Sequence, residues 1–339
     1  MVVWCSVAVL SAWGADPPQT PAQLKAAGLR SVEVLQPVEA TPVVLQGATV
    51  WSGESRLEQG YVVIEGGKIA AVGTGPAPSV AGATVLDLTG KHITPGLIDT
   101  HSHLGVYPAP WARAHSDGNE ATSPTTPGVW AEHSIWPQDP GFSLALAGGV
   151  TTMQILPGSA NLIGGRGVVV HNVPARGSRA MRLPGAPETL KMACGENPKR
   201  VYGERHAAPS TRMGNLRGQR SAFLDAVSYV QKWQRYEDKL ASGAEDEGKK
   251  KKKKRSGGGE PAKPPERDLD LETLAGVLRG EILPQIHCYR ADDMLSMLQL
   301  ADEFGFSVRS FHHATEAYKI RDILAERQVA ASVWADWWG

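Results

Sequence analysis

The chain has 339 residues, 42% hydrophobic and 21% charged, which is enough apolar side chain for a large core and a length suited to two domains or one barrel with additions. Its 35 basic and 35 acidic residues cancel, but residues 249–255 supply seven of the basic ones, so the rest carries a net charge of −7 and offers no general nucleic-acid surface. Three cysteines, Cys5, Cys194 and Cys288, are too few for a disulfide framework.

Residues 1–14 form an apolar run with Ala12 and Gly14 at −3 and −1 of a candidate cleavage point, as export requires. The run lacks a basic start and is too short to span a bilayer, and no other stretch approaches transmembrane length. We expect a signal peptide and an exported protein, periplasmic or extracellular, with the cytoplasm as the alternative. Cys5 then belongs to the leader, and Cys194 and Cys288 are either free thiols or one disulfide. A Pro- and Ala-rich tether follows to residue 41. Between residues 42 and 92, short β-branched runs broken by glycine predict a small β-domain, with a hairpin turning at Gly66-Gly67.

At residues 94–105, TPGLIDTHSHLG, a buried strand runs into His101 and His103. Side chains at i and i+2 of a strand share a side, so both imidazoles face one way and can share a divalent metal, although the same pattern also fits polar residues in a turn. A long Pro-, Ser- and Thr-rich loop reaches to about Gly128. A short helix is predicted over 140–147, then strands over 148–155, 168–173 and 188–194. The glycine-rich stretch 156–167 is either a plain connection or a pocket lining that offers backbone amides and Arg166. A helix is predicted over 221–240, then a solvated, disordered Lys-rich insertion over 241–265. Helices over 268–280, 291–304 and 314–326 alternate with strands over 281–287, 306–313 and 329–334. Strand followed by helix, repeated, is the rhythm of an α/β barrel.

Pro95-Gly96-Leu97-Ile98-Asp99-Thr100-His101-Ser102-His103 resembles the first-strand signature of the metal-dependent amidohydrolase superfamily, most closely the branch of imidazolonepropionase and related dipeptidases. The resemblance runs from about Ala40 to the end of the chain. It implies a (β/α)8 TIM barrel over 93–339 joined to a small N-terminal β-sandwich, with metal ligands at the C-terminal ends of the strands. It implies His101, His103, His287 and His313 as metal ligands. His312, the neighbour of His313, is expected to point the opposite way. Lys191, near the end of the fourth strand, stands where binuclear members carry a lysine carboxylated by carbon dioxide. Without that modification a lysine is a cation and cannot ligate, and the site is mononuclear. The aspartate that takes a proton after the eighth strand in this family has no counterpart. Asp336 follows the seventh strand and is not assigned the role, so we expect a C-terminally truncated barrel lacking its last strand.

The implied activity is hydrolysis of a C–N bond in an amide, cyclic amide or dipeptide, using one or two zinc ions that activate water. The implied partner is a small-molecule substrate, and a homo-oligomer is left open. The alternatives are a non-catalytic metal-binding barrel or inactive fragment, and another metal-dependent barrel hydrolase such as a deaminase or a phosphotriesterase-like enzyme. A deaminase should carry a His-Ala-Gly-Glu type acid motif after the fifth strand, and His287-Cys288-Tyr289-Arg290 lacks it.

Overall fold

Alternating apolar residues between Val43 and Thr74 build the first sheet, in a computed structural model that describes residues 41–249 and 263–334, with backbone alone for 243–249. Strands β1 (Val43–Trp51), β2 (Arg56–Glu65), β3 (Lys68–Thr74) and β4 (Thr84–Asp87) lie in the order β3-β2-β1-β4, and β5 (His92–Ile93) pairs with β1. The hairpin turns at Gly66 and Gly67 with φ of 57° and 73°, the paired positive values of a tight two-residue turn that glycine adopts without strain. Ala48, Val50 and Val62 form its buried face. Among the described residues this is one mixed five-stranded sheet, standing where a small β-sandwich is expected. The leader, nearly all of the tether, residues 250–262 and Asp336 lie outside the described residues.

The second sheet carries the chemistry. Strands β6 (Leu97–Ser102), β7 (Val150–Ile155), β8 (Ile163–His171), β9 (Glu188–Ala193), β10 (Ile282–His287), β11 (Ser310–His312) and β12 (Ala330–Ser332) are hydrogen-bonded in chain order. Gly96 lets β6 approach β7, since a Cβ there would stand 2.1 Å from Thr151 Oγ1. The sheet curls into a barrel-like form. His101 on β6, at one edge, reaches within hydrogen-bond distance of His312 on β11, at the far side.

One strand departs from the expected all-parallel barrel. β8 runs antiparallel to both β7 and β9, whereas the pairs β6–β7, β9–β10, β10–β11 and β11–β12 are parallel. Only residues 156–162 join β7 to β8, too few for the crossover of a dozen or more residues that a parallel neighbour requires. The glycine-rich stretch thus becomes a turn plus the first half of β8. Arg166 lies within β8. It pairs with Glu188 at 2.9 Å and lies over the Trp130 ring, its guanidinium 3.9 Å from the ring centre.

Helices cover the sheet. They are α1 (Pro140–Ala147), α2 (Glu196–Gly203), α3 (Arg212–Lys249), α4 (Leu269–Leu278), α5 (Ala291–Phe304) and α6 (Arg321–Glu326). α3 continues nine residues past the predicted end at Leu240, so the 241–265 stretch begins as helix rather than as disordered chain. Leu162, Leu190, Met192, Phe223, Leu274, Ile286, Met294 and Phe311 pack one core between β9–β11 and α3–α5. A second core around Phe142, Met153, Ile155 and Val170 lies under the long loop. Buried Asp139 fastens that loop, accepting backbone N–H groups from Gly105 and Gly141 at 2.8 Å and from Ala109 at 3.1 Å. No described helix is long and apolar enough to cross a membrane.

Candidate metal centre

β6 delivers the first two rings. Asp99 Oδ1 accepts the backbone N–H of His101 at 3.0 Å, bending the chain as the strand ends. His103 Nδ1 donates to the Leu156 carbonyl at 2.8 Å, just beyond β7, which leaves its Nε2 as a lone pair. That atom faces His101 Nε2 at 3.2 Å.

Register brings in the rest. Lys191 on β9 lies abreast of Gln285 on β10, and His287 lies abreast of His312 on β11. Period two then puts Lys191, Gln285, His287 and His312 on one side, the inside of the curled sheet. Lys191 Nζ lies 3.4 Å from His101 Nε2, and His312 Nδ1 lies 2.9 Å from His101 Nδ1. The His287 ring stands 4.4 Å from that of His313 and 4.6 Å from that of Tyr289.

The five expected residues therefore converge, and a sixth joins them. His312 does not point away. It is the member of the doublet that strand alternation aims inward, with 1% of its surface exposed. His313 reaches the same cluster because its φ of 55° leaves the strand conformation, its ring stacking on Trp334 at 4.1 Å. His312, Gln285 and Trp334 lie outside the expected set, and placing His312 beside His287 takes the β10–β11 register, which only the structure supplies. Cys194 and Cys288, just past the ends of β9 and β10, are joined as a disulfide with Cα atoms 5.3 Å apart, the second of the two readings that the sequence leaves open.

Burial, reinforced by the nearby Lys191, depresses every imidazole in the cluster. His103 and His313 fall to about 4, His312 to about 3, and His101 and His287 lower still. Burial likewise pulls Lys191 down to about 7. Neutral imidazoles are what a divalent metal takes. Both ring nitrogens of His287 are buried without a hydrogen-bond partner among the described residues, an omission that costs about 1–3 kcal/mol for a buried polar group. Zinc–nitrogen bonds of about 2.0–2.1 Å place tetrahedral ligand atoms about 3.3 Å apart. The 3.2 Å between His101 Nε2 and His103 Nε2 matches that spacing. The donor set fits a divalent ion in chemistry, and one pair of its nitrogens fits in spacing. It is not a finished cage, for among the described residues no three His, Cys, Asp or Glu side chains already surround one point.

No protein-family profile matches the chain. It is 34% identical over 328 aligned residues to the amidohydrolase tasK of Hapsidospora irregularis, an alignment covering 87% of this chain and 32% of that protein. The chain thus spans about a third of that curated relative's length. It is 49% identical over 54 residues to an imidazolonepropionase of Geobacillus sp. strain WCH70, covering 14% of this chain and 13% of that enzyme. Among solved structures it resembles an amidohydrolase from Thermotoga maritima MSB8, with a TM-score of 0.73 and 38% identity over 86% of this chain and 70% of that one.

Proposed function

The chain belongs to the amidohydrolase superfamily, in its imidazolonepropionase-like branch, and from that membership we propose that it is a metal-dependent hydrolase of C–N bonds in amides, cyclic amides or dipeptides. The observation that carries the reading is the convergence of His101, His103, Lys191, His287 and His313, from four separate strands or strand ends, into one buried cluster of neutral imidazoles. His101, His103, His287 and His313 would hold the ion. Zinc, when bound, supplies an acidified water and polarises a carbonyl.

The chain's own residues set the conditions for that chemistry. The Leu156 carbonyl fixes the His103 tautomer and aims its Nε2 inward. Burial keeps the imidazoles free of competing protons down to acid pH. With its pKa near 7, Lys191 is part neutral amine at physiological pH, the form that adds carbon dioxide to become a carbamate. That modification would turn a cation into an anionic oxygen donor and make room for a second ion. Export is proposed as well, supported by the Cys194–Cys288 disulfide, a bond at home in oxidising compartments.

The test is metal content by mass spectrometry of the purified protein beside His101→Ala and His287→Ala. Near-stoichiometric zinc lost in both variants supports one shared site, and a ratio near two supports the carbamate. A folded wild-type protein that takes up no metal refutes the reading. Hydrolysis of cyclic amides, N-acyl amino acids and dipeptides, lost in His101→Ala, then identifies the bond.

A further inference from the structure

Gln285 is an expensive residue for its place. Its amide is buried, with 5% of the residue exposed, where an apolar side chain would pack without any polar group to satisfy. It lies abreast of Lys191 and two residues before His287, on the same inner side of β10. Its Oε1 stands 2.8 Å from His312 Nε2.

That contact has a direction. An amide oxygen only accepts, so the ring proton of His312 sits on Nε2 and its Nδ1 is a lone pair. His101 Nδ1, 2.9 Å from that lone pair, must then donate. A neutral imidazole has one ring proton, so His101 Nε2 is in turn a lone pair. It faces the His103 lone pair at 3.2 Å and Lys191 Nζ at 3.4 Å. Two lone pairs opposed at that distance are a seat for a cation. Reversing the proton on His312 would reverse it on His101, and an Nε2–H of His101 would occupy that seat.

We propose that Gln285 is a positioning residue of this centre: through His312 it holds His101 in its Nδ1–H tautomer and turns the Nε2 lone pair of His101 towards His103 and Lys191. The proposal rests on the metal reading for its purpose, but the tautomers themselves are observable without metal. Lying outside the expected ligand set, both Gln285 and His312 act at one remove, as the hydrogen-bond partners of metal-binding histidines do.

The experiment is nitrogen-15 NMR of histidine-labelled, metal-free protein at neutral pH. The His312 and His101 signals are assigned by their loss in His312→Gln and His101→Ala. Wild type should show His312 protonated at Nε2 and His101 at Nδ1. The opposite pattern overturns the proposal whether or not any variant folds. In Gln285→Leu the acceptor is gone, and we expect His101 to shift towards Nε2–H and zinc affinity, titrated with zinc alone, to fall about 10- to 100-fold. Gln285→Glu, whose carboxylate also only accepts, should restore the wild-type tautomers and most of the affinity. Folded Gln285→Leu with unchanged tautomers and affinity within twofold of wild type overturns the proposal. Wild-type tautomers as expected, in a protein that binds no zinc, sink the metal reading alone.

Discussion

Replacing His287 by leucine should separate stability from metal binding. In the metal-free protein both His287 nitrogens are buried and unpartnered, so its polar edge costs about 1–3 kcal/mol that leucine would recover. Against that stands the loss of ring contacts with Tyr289 and His313, at centroid distances of 4.6 and 4.4 Å, worth about 0.5–1.5 kcal/mol each at most. The gain and the loss are of similar size. Metal-free His287→Leu should therefore lie within about 2 kcal/mol of wild type in either direction, where a buried substitution that removed a satisfied polar group would cost more. The assay is urea denaturation in EDTA, repeated with zinc. Zinc at a hundred times its dissociation constant should stabilise wild type by about 2.7 kcal/mol and leave the variant unmoved. A loss of more than about 2 kcal/mol in EDTA, or equal stabilisation of both proteins by zinc, would refute the reasoning.

The buried cluster also makes the stability of the metal-free protein depend on pH. The folded state depresses His103 and His313 to about 4 and His312 to about 3, so the unfolded chain binds protons first. Stability should hold above about pH 6.5 and fall progressively as pH drops through 4. Lys191, depressed to about 7, keeps its proton in the unfolded chain up to the ordinary lysine range near 10.5. That term raises stability as pH climbs from about 7 to 10.5, and Lys191→Met should flatten the rise in the urea midpoint. Asp139→Ala should cost about 2–4 kcal/mol in urea denaturation, because three backbone N–H groups lose a charged acceptor and α1 loses its cap. Asp139→Asn, which keeps an oxygen, should cost less.

Much of the site was legible because its residues sit at ends of elements with strong local signals. The strand expected to run into His101 and His103 forms as β6, but Leu97, Ile98 and Thr100 on it are exposed, so it is not the buried strand expected. The segments 140–147 and 291–304, expected as helices, form α1 and α5 over those very residues. Lys191 on the fourth strand and His287 at the end of the fifth were placed correctly by counting strands, which survives a strand running backwards. The His312–His313 doublet was not legible. Alternation says that the two rings diverge, and the left-handed backbone of His313 brings both to one cluster.

The sequence by itself determined which residue types are available and which elements carry them, since hydrophobic period, glycine turns and helix caps act over a few residues. It determined the histidine pair on β6 and the strand ends that could answer it. Only the tertiary structure decided the direction of β8, because a strand's side-chain pattern reads the same both ways and its pairing sets its sense. Tertiary structure also closed the Cys194–Cys288 pair and continued α3 to Lys249. Above all it placed the Gln285 amide against His312, since the proton positions of buried imidazoles depend on partners that strand register brings together.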